Sequence, residues 1–308
     1  MTAGDDRSDA RAGALLAGLA FGLWGVLPMY WKQLSGVGAV EILAHRFFWA
    51  AILTHLALVA VGQWTDVRNA LTNPRLRRSL MLSAALLGAN GYAFVWGVNH
   101  GFILECSLGY YIAPLVNVAL GSLVLRERLR VWQGVALVLA AAGVTNLIAQ
   151  YGRVPWVGLT LAVTFGCYGL FRKIAPVGSL AGFAAESGLL AVPAAGGIAA
   201  WWLTGSGSLG REGFSTDALL AGAGLVTLVP LVLFAAGARR VRLSTLGFLQ
   251  YIAPTLAFGV GVAVYREAFT DAHKVTFALV WTGVVVFSWD SLRARRRTPT
   301  PGHTGKVA

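Results

Sequence analysis

Charge is scarce in this chain. Asp, Glu, Lys and Arg together make up 12% of its 308 residues, where soluble domains carry about 25%. So little polar surface does not cover the core of a water-soluble protein of this size, which excludes an ordinary soluble enzyme or binding domain. Cysteine is rarer still. Cys106 and Cys167 are the two present, both inside apolar stretches, so no disulfide framework or Cys-rich metal centre is expected. Each reads as a small packing residue. Neither H-E-x-x-H nor, in context, G-x-S-x-G occurs, so the marks of a membrane metalloprotease or a serine hydrolase are missing. Acidic residues number 13 against 25 basic ones, a net charge of +12. The cations lie in short connections and tails instead of on one polar face, which argues against a nucleic-acid partner and leaves cofactors without a motif.

What is plentiful is apolar. Hydrophobic residues make up 56% of the chain, with 38 Gly, 11 Trp and 15 Phe, and the mean hydropathy is +0.66. Lipid is the solvent that accepts such a surface, glycine permits close helix approach within it, and aromatics gather at its interfaces. Stretches long enough to cross hydrocarbon, about 20 residues each, run over 12–31, 39–61, 79–100, 104–125, 131–150, 155–174, 181–203, 217–238, 244–265 and 274–292. The reading is an all-α integral membrane protein of ten transmembrane helices. The longest connections, 62–78 and 204–216, are read as loops. Residues 1–11 hold Asp5, Asp6 and Asp9 in place of a basic start, so the first stretch reads as a retained helix and not a cleaved signal.

Lys and Arg in alternate connections set the topology. With the N-terminus inside, 19 fall on the inner side, including Arg75, Arg77, Arg78 and Arg293 to Arg297, and 5 on the outer side. That bias expects both termini in the cytoplasm of a cell or plasma membrane.

The chain also matches itself. Tyr111-Ile112-Ala113-Pro114 recurs 140 residues later as Tyr251-Ile252-Ala253-Pro254, and Arg126-Glu127 recurs at the same offset as Arg266-Glu267. Gly121 pairs with Gly261, Gly143-Val144 with Gly283-Val284, and Phe21-Gly22-Leu23-Trp24-Gly25 resembles Phe165-Gly166-Cys167-Tyr168-Gly169. A repeat of five spans, an odd number, makes the second copy enter the membrane from the opposite side, as inverted-repeat transporters do. The expected organisation is a tail at 1–11, a first five-helix repeat at 12–150, a second at 155–292 and a basic tail at 293–308.

Several of these runs carry a family resemblance. Phe21 to Gly25, Glu41-Ile42-Leu43-Ala44-His45-Arg46, Trp96-Gly97-Val98-Asn99, the run from Glu105 to Asn117 and the run from Arg242 to Leu256 resemble the drug/metabolite transporter superfamily, specifically its EamA-type family and RarD branch. That resemblance covers nearly the whole chain apart from the tails. It implies a ten-helix transporter of the inner or plasma membrane with cytoplasmic termini, and it implies no catalytic residue set.

Ionisable groups within hydrocarbon are costly and need a reason. Glu41 and His45 are four residues apart, hence on one helical face, with Arg46 adjacent. Two readings stand: a proton- or substrate-responsive cluster, or a structural ion pair near a helix end. Glu186 reads as the counterpart of Glu41 in the second half. In the fourth span Tyr110, Pro114, Asn117 and Gly121 form one stripe, repeated in the ninth by Gln250, Pro254, Ala257 and Gly261. The prolines remove backbone donors and are expected to kink both helices. These stripes, with the adjoining Tyr111 and Tyr251, read either as a cavity wall or as tight packing. Tyr92, Trp96 and Asn99 share a face of the third span, and Trp24 and Tyr168 hold equivalent places in the first and sixth. An apolar pocket with a few polar groups suits aromatic or amphipathic small molecules. The functional expectation is a small-molecule transporter working by alternating access, with export coupled to protons through Glu41, His45 and Glu186. The rival classes are a membrane-embedded receptor or scaffold, and an enzyme.

Overall fold

The structure is a computed structural model that describes residues 3–125, 130–238, 240 and 249–297. Among these the regular elements are all helices: α1 Ala3–Gln33, α2 Ala39–Ala60, α3 Trp64–Thr72, α4 Pro74–Asn99, α5 Ile103–Leu125, α6 Val131–Tyr151, α7 Trp156–Ile174, α8 Ser179–Thr204, α9 Phe214–Ala238, α10 Ile252–Gly259 and α11 Asp271–Arg297. A π-helical turn, Val260–Val264, extends α10. Among the described residues seven helices are long and apolar enough to cross a membrane, and three shorter apolar helices, Ile103–Ala113, Trp156–Arg172 and Ile252–Val264, lie among them. The molecule is an all-α membrane protein. Its outer surface is apolar, with Leu123, Val131, Val192 and Leu203 among the most exposed side chains, as lipid-facing residues are.

Three elements differ from the sequence expectation. The first helix begins at Ala3, within the expected tail, and the last runs to Arg297. The connection 62–78 contains α3, which buries Val67 and Ala70 against Leu58, Leu80, Ala181 and Ala184. Nine residues with only two core contacts give no periodic run for a sequence reading to find. Asn73 then starts α4, its Oδ1 accepting from the amides of Arg75 and Leu76 at 3.1 and 3.3 Å, with Pro74 in the first turn, where no amide partner is needed. The residues 244–248 of the ninth expected span fall outside the described residues.

Helices pack across the sequence halves. α1 lies against α9 and α10, and α7 against α4 and α5; α2 meets α8 and α9, α8 meets α4, and α6 meets α11. Glycine lets backbones touch at these crossings. A Cβ on Gly109 of α5 would stand 2.5 Å from the carbonyl oxygen of Gly158 of α7. Between α6 and α11 the contact is reciprocal: a Cβ on Gly143 would meet the Thr276 carbonyl at 3.2 Å, and one on Gly283 the Ala136 carbonyl at 3.0 Å. Both residues of each contact are 140 positions from their partners in the other. Contacts of Asn99 with Leu34, Glu41 with Ser208, Arg153 with Glu105, Glu267 with Ile103 and Lys32 with Tyr265 gather the turns 34–38, 100–102, 152–155, 205–213 and 265–270 at one end of the bundle, called below the vestibule end.

Candidate functional site

At the vestibule end a cavity of about 660 Å³ opens between the α1–α2 turn, the end of α4 and the α8–α9 loop. Glu41, Tyr92, Trp96, Asn99, His100 and Trp201 line it together with Ser35 and Ser206. Four of the side chains singled out in the sequence thus converge here. Trp96 builds the aromatic wall, stacked on His100 at 4.1 Å and Phe102 at 5.6 Å and tilted on Trp156 at 4.8 Å. Asn99 is tied to the end of α1: its amide donates to the Leu34 carbonyl at 3.5 Å, while Lys32 Nζ donates to the carbonyls of Val98 and Asn99.

Glu41 sits in the first turn of α2, where the helix dipole favours a carboxylate. Its oxygens do not pair with His45. They accept from the Ser208 amide at 2.7 Å and the Ser208 hydroxyl at 3.2 Å, pinning the α8–α9 loop over the vestibule. Asp217 fixes the same loop by accepting from the Gly210 amide at 2.7 Å. His45 lies beneath, 1% exposed, with both ring nitrogens lacking a hydrogen-bond partner. Arg46 points to a different side of α2. Its Nε donates to Thr227 Oγ1 of α9 at 3.1 Å, and its guanidinium lies 5.5 Å from the Trp31 ring centre and 5.7 Å from that of Phe47.

A second polar cluster occupies the opposite end. Glu186 is fully buried; Ser83 donates to its Oε1 at 2.6 Å, the Tyr168 hydroxyl to its Oε2 at 3.0 Å, and Arg172 Nη1 lies 3.6 Å from Oε1. This network sews α4, α7 and α8 together. In helix register Glu186 corresponds to Arg46 and not to Glu41: each is the eighth residue of its helix, α2 starting at Ala39 and α8 at Ser179.

The remaining sequence candidates lie away from the vestibule. The Tyr110 hydroxyl donates to Asn90 Oδ1 at 3.1 Å, and the Asn90 amide donates to the Leu161 carbonyl and Thr164 Oγ1, a polar rung from α5 through α4 to α7. Tyr111 and Tyr251, 140 residues apart, stack on each other at 6.1 Å, and the Tyr111 hydroxyl bonds Thr255 Oγ1 at 2.6 Å. Both belong to a packed cluster with Phe277 and Val280. Trp24 packs edge-on against Phe21 and tilted against Phe234. Gln250 lies in the turn before α10, and Tyr251 is that helix's N-cap, so Pro254 stands in a first turn. Pro114 and Asn117 are positions within α5; their side chains lie outside the described residues. Sequence reasoning missed Ser208, Ser83, Arg172, Trp31 and Thr227. Ser208, Ser83 and Thr227 are common residue types more than 100 positions from the groups they serve, and Arg172 and Trp31 sit on the neighbouring helix, so only the fold brings them there.

The comparisons with known proteins follow the same lines. Residues 11–149 match the EamA-like transporter family. The chain is 43% identical to "Protein RarD" of Streptomyces exfoliatus over 94% of its own length and 92% of that protein's. It is 40% identical to "Protein RarD" of Escherichia coli K12, over 95% and 99%, and 42% identical to an "Uncharacterized transporter" of Vibrio cholerae, over 94% and 96%. One solved crystal structure superposes with a TM-score of 0.59, covering 94% of this chain and 99% of its own, at 21% identity; that is a likeness of fold. Identity at this level over nearly the full length of both chains has one meaning: the protein belongs to the EamA-like transporter family, within the RarD branch of the drug/metabolite transporter superfamily.

Proposed function

We propose that the protein moves small molecules across the cell membrane by alternating access between two inverted five-helix repeats, 12–150 and 155–292, with both termini in the cytoplasm. The observation that carries this reading is the exchange symmetry of the packing. Swapping the halves turns α1–α9 into α7–α4, α1–α10 into α7–α5 and α2–α9 into α8–α4, and returns α2–α8 and α6–α11 to themselves. Residues on the exchange axis meet their own counterparts, Tyr111 with Tyr251 and the Gly143 contact with the Gly283 contact. Two nearly equivalent halves around one interface supply two conformations of similar energy, which alternating access requires.

The two ends differ in this conformation. Among the described residues the cavity lies at the vestibule end and the Glu186 network ties α4, α7 and α8 together at the other, which supports assigning the state as open to the outside. The basic connections on the Glu186 side support placing that side in the cytoplasm. Export by proton exchange is the energetic reading, with Glu41 and Glu186, near opposite ends of the bundle, as the exchanging carboxylates.

The test is cysteine accessibility in proteoliposomes. Ser35→Cys in the vestibule should label with an impermeant maleimide and Ser83→Cys should be protected. A transported solute should slow labelling at Ser35→Cys and speed it at Ser83→Cys. Labelling that responds to no solute in a broad metabolite and drug panel contradicts alternating access.

A further inference from the structure

We infer that Arg46 is the recognition point for the carboxylate of an organic anion. This names a substrate class for the transport function proposed above and rests on it. Arg46 is seven residues past the first residue of α2, about 10 Å along the helix, well inside the bundle. An arginine at that depth demands a counter-charge or a full set of acceptors. Neither is there. Among the described residues no Asp or Glu lies within ion-pair distance of it, and its one side-chain hydrogen bond is from Nε to Thr227. Glu41, the carboxylate on its own helix, is taken up by Ser208.

The other half shows what a satisfied charge looks like in this fold. Glu186, at the same register position, has Ser83, Tyr168 and Arg172 within 3.6 Å. Among the described residues the fold thus supplies a counter-ion for one buried charge and none for its equivalent. Space is also kept for Arg46: a Cβ on Gly91 would stand 3.3 Å from its Nη1, and the next residue, Tyr92, lines the vestibule. Nε is held by Thr227, Arg46 is partly exposed, and among the described residues nothing accepts from Nη1 or Nη2, the pair that takes a carboxylate through two parallel hydrogen bonds. Trp31 and Phe47, both buried, back the guanidinium, and Trp31 holds the cation by its π face.

The experiment is binding to the full-length protein in lipid nanodiscs. The probes are benzoate, phenylacetate, indole-3-acetate and octanoate, each against its neutral primary amide. Wild type should prefer at least one acid over its amide, by about tenfold or more. Arg46→Gln should erase that preference, and Arg46→Lys should restore part of it. Thr227→Val, which removes only the group that orients the guanidinium, should weaken acid binding several-fold, and it decides the matter if Arg46→Gln does not fold. No acid preference for any pair, or a preference that survives Arg46→Gln or, failing that variant, Thr227→Val, overturns the assignment. The same probes run on the Ser35→Cys reporter separate the two levels. A reporter that answers to amides and acids alike removes the carboxylate assignment alone; a reporter silent to every solute removes the transport reading beneath it.

Discussion

Glu186 shows how one side chain can both hold helices together and limit what they do. It accepts from Ser83 and Tyr168 and faces Arg172, so Glu186→Ala removes the acceptor of two buried hydroxyls and the carboxylate facing a cation. We expect a loss of about 2–4 kcal/mol, read as a fall in thermal midpoint in lipid nanodiscs. Glu186→Gln keeps acceptor capacity and loses only the charge, so its midpoint should fall less. Combined with Glu41→Gln it should abolish solute uptake driven by a pH gradient in inverted vesicles; uptake undiminished in the double variant contradicts carboxylate coupling. At this scale the sequence was half legible. Glu41, His45, Arg46 and Glu186 stand out because charge is rare in apolar stretches. Their partners do not, since Ser208 lies 167 residues from Glu41 and Ser83 lies 103 from Glu186. The spacing of Glu41 and His45 suggested a pair, but the Ser208 amide and hydroxyl offer the carboxylate two donors in place of one imidazole.

Helices are the elements that hydropathy reads well, because each must satisfy its backbone internally in lipid. The bounds of α2, α6 and α8 lie within a few residues of the apolar stretches that announced them. Elements set by tertiary contact escaped: α3, held by Val67 and Ala70, and the π-helical turn after α10. Glycines were visible as a composition, yet which of them mark crossings is a property of the packing. On α6, Gly143 touches α11 whereas a Cβ on Gly134 would meet nothing within 4 Å. Gly143→Leu and Gly283→Leu should therefore each cost about 1–3 kcal/mol, by similar amounts, and Gly134→Leu close to nothing. Thermal midpoints of the three variants check this; a large effect at Gly134, or at only one of the other two, would contradict the reciprocal crossing.

For the whole molecule, the 140-residue self-match is the feature on which the proposed mechanism rests. A matching Tyr-Ile-Ala-Pro at an offset of 140 residues was legible before any fold was known. The exchange symmetry of the packing, the vestibule at one end and the Glu186 network at the other were not, because each depends on how the two halves meet. The bundle therefore joins a legible repeat to an arrangement that only three dimensions reveal. Its orientation in the membrane is the claim everything else stands on. Labelling single cysteines at His100, Val131, Arg240 and Asp271 with an impermeant reagent, from each side of the membrane in turn, tests it directly; the native Cys106 and Cys167 lie within helices and serve as background. Inverted repeats require His100→Cys and Asp271→Cys on one face, and Val131→Cys and Arg240→Cys on the other. If His100 shares a face with Arg240, or Val131 with Asp271, residues 140 apart enter the membrane in the same sense and the two-repeat mechanism is wrong.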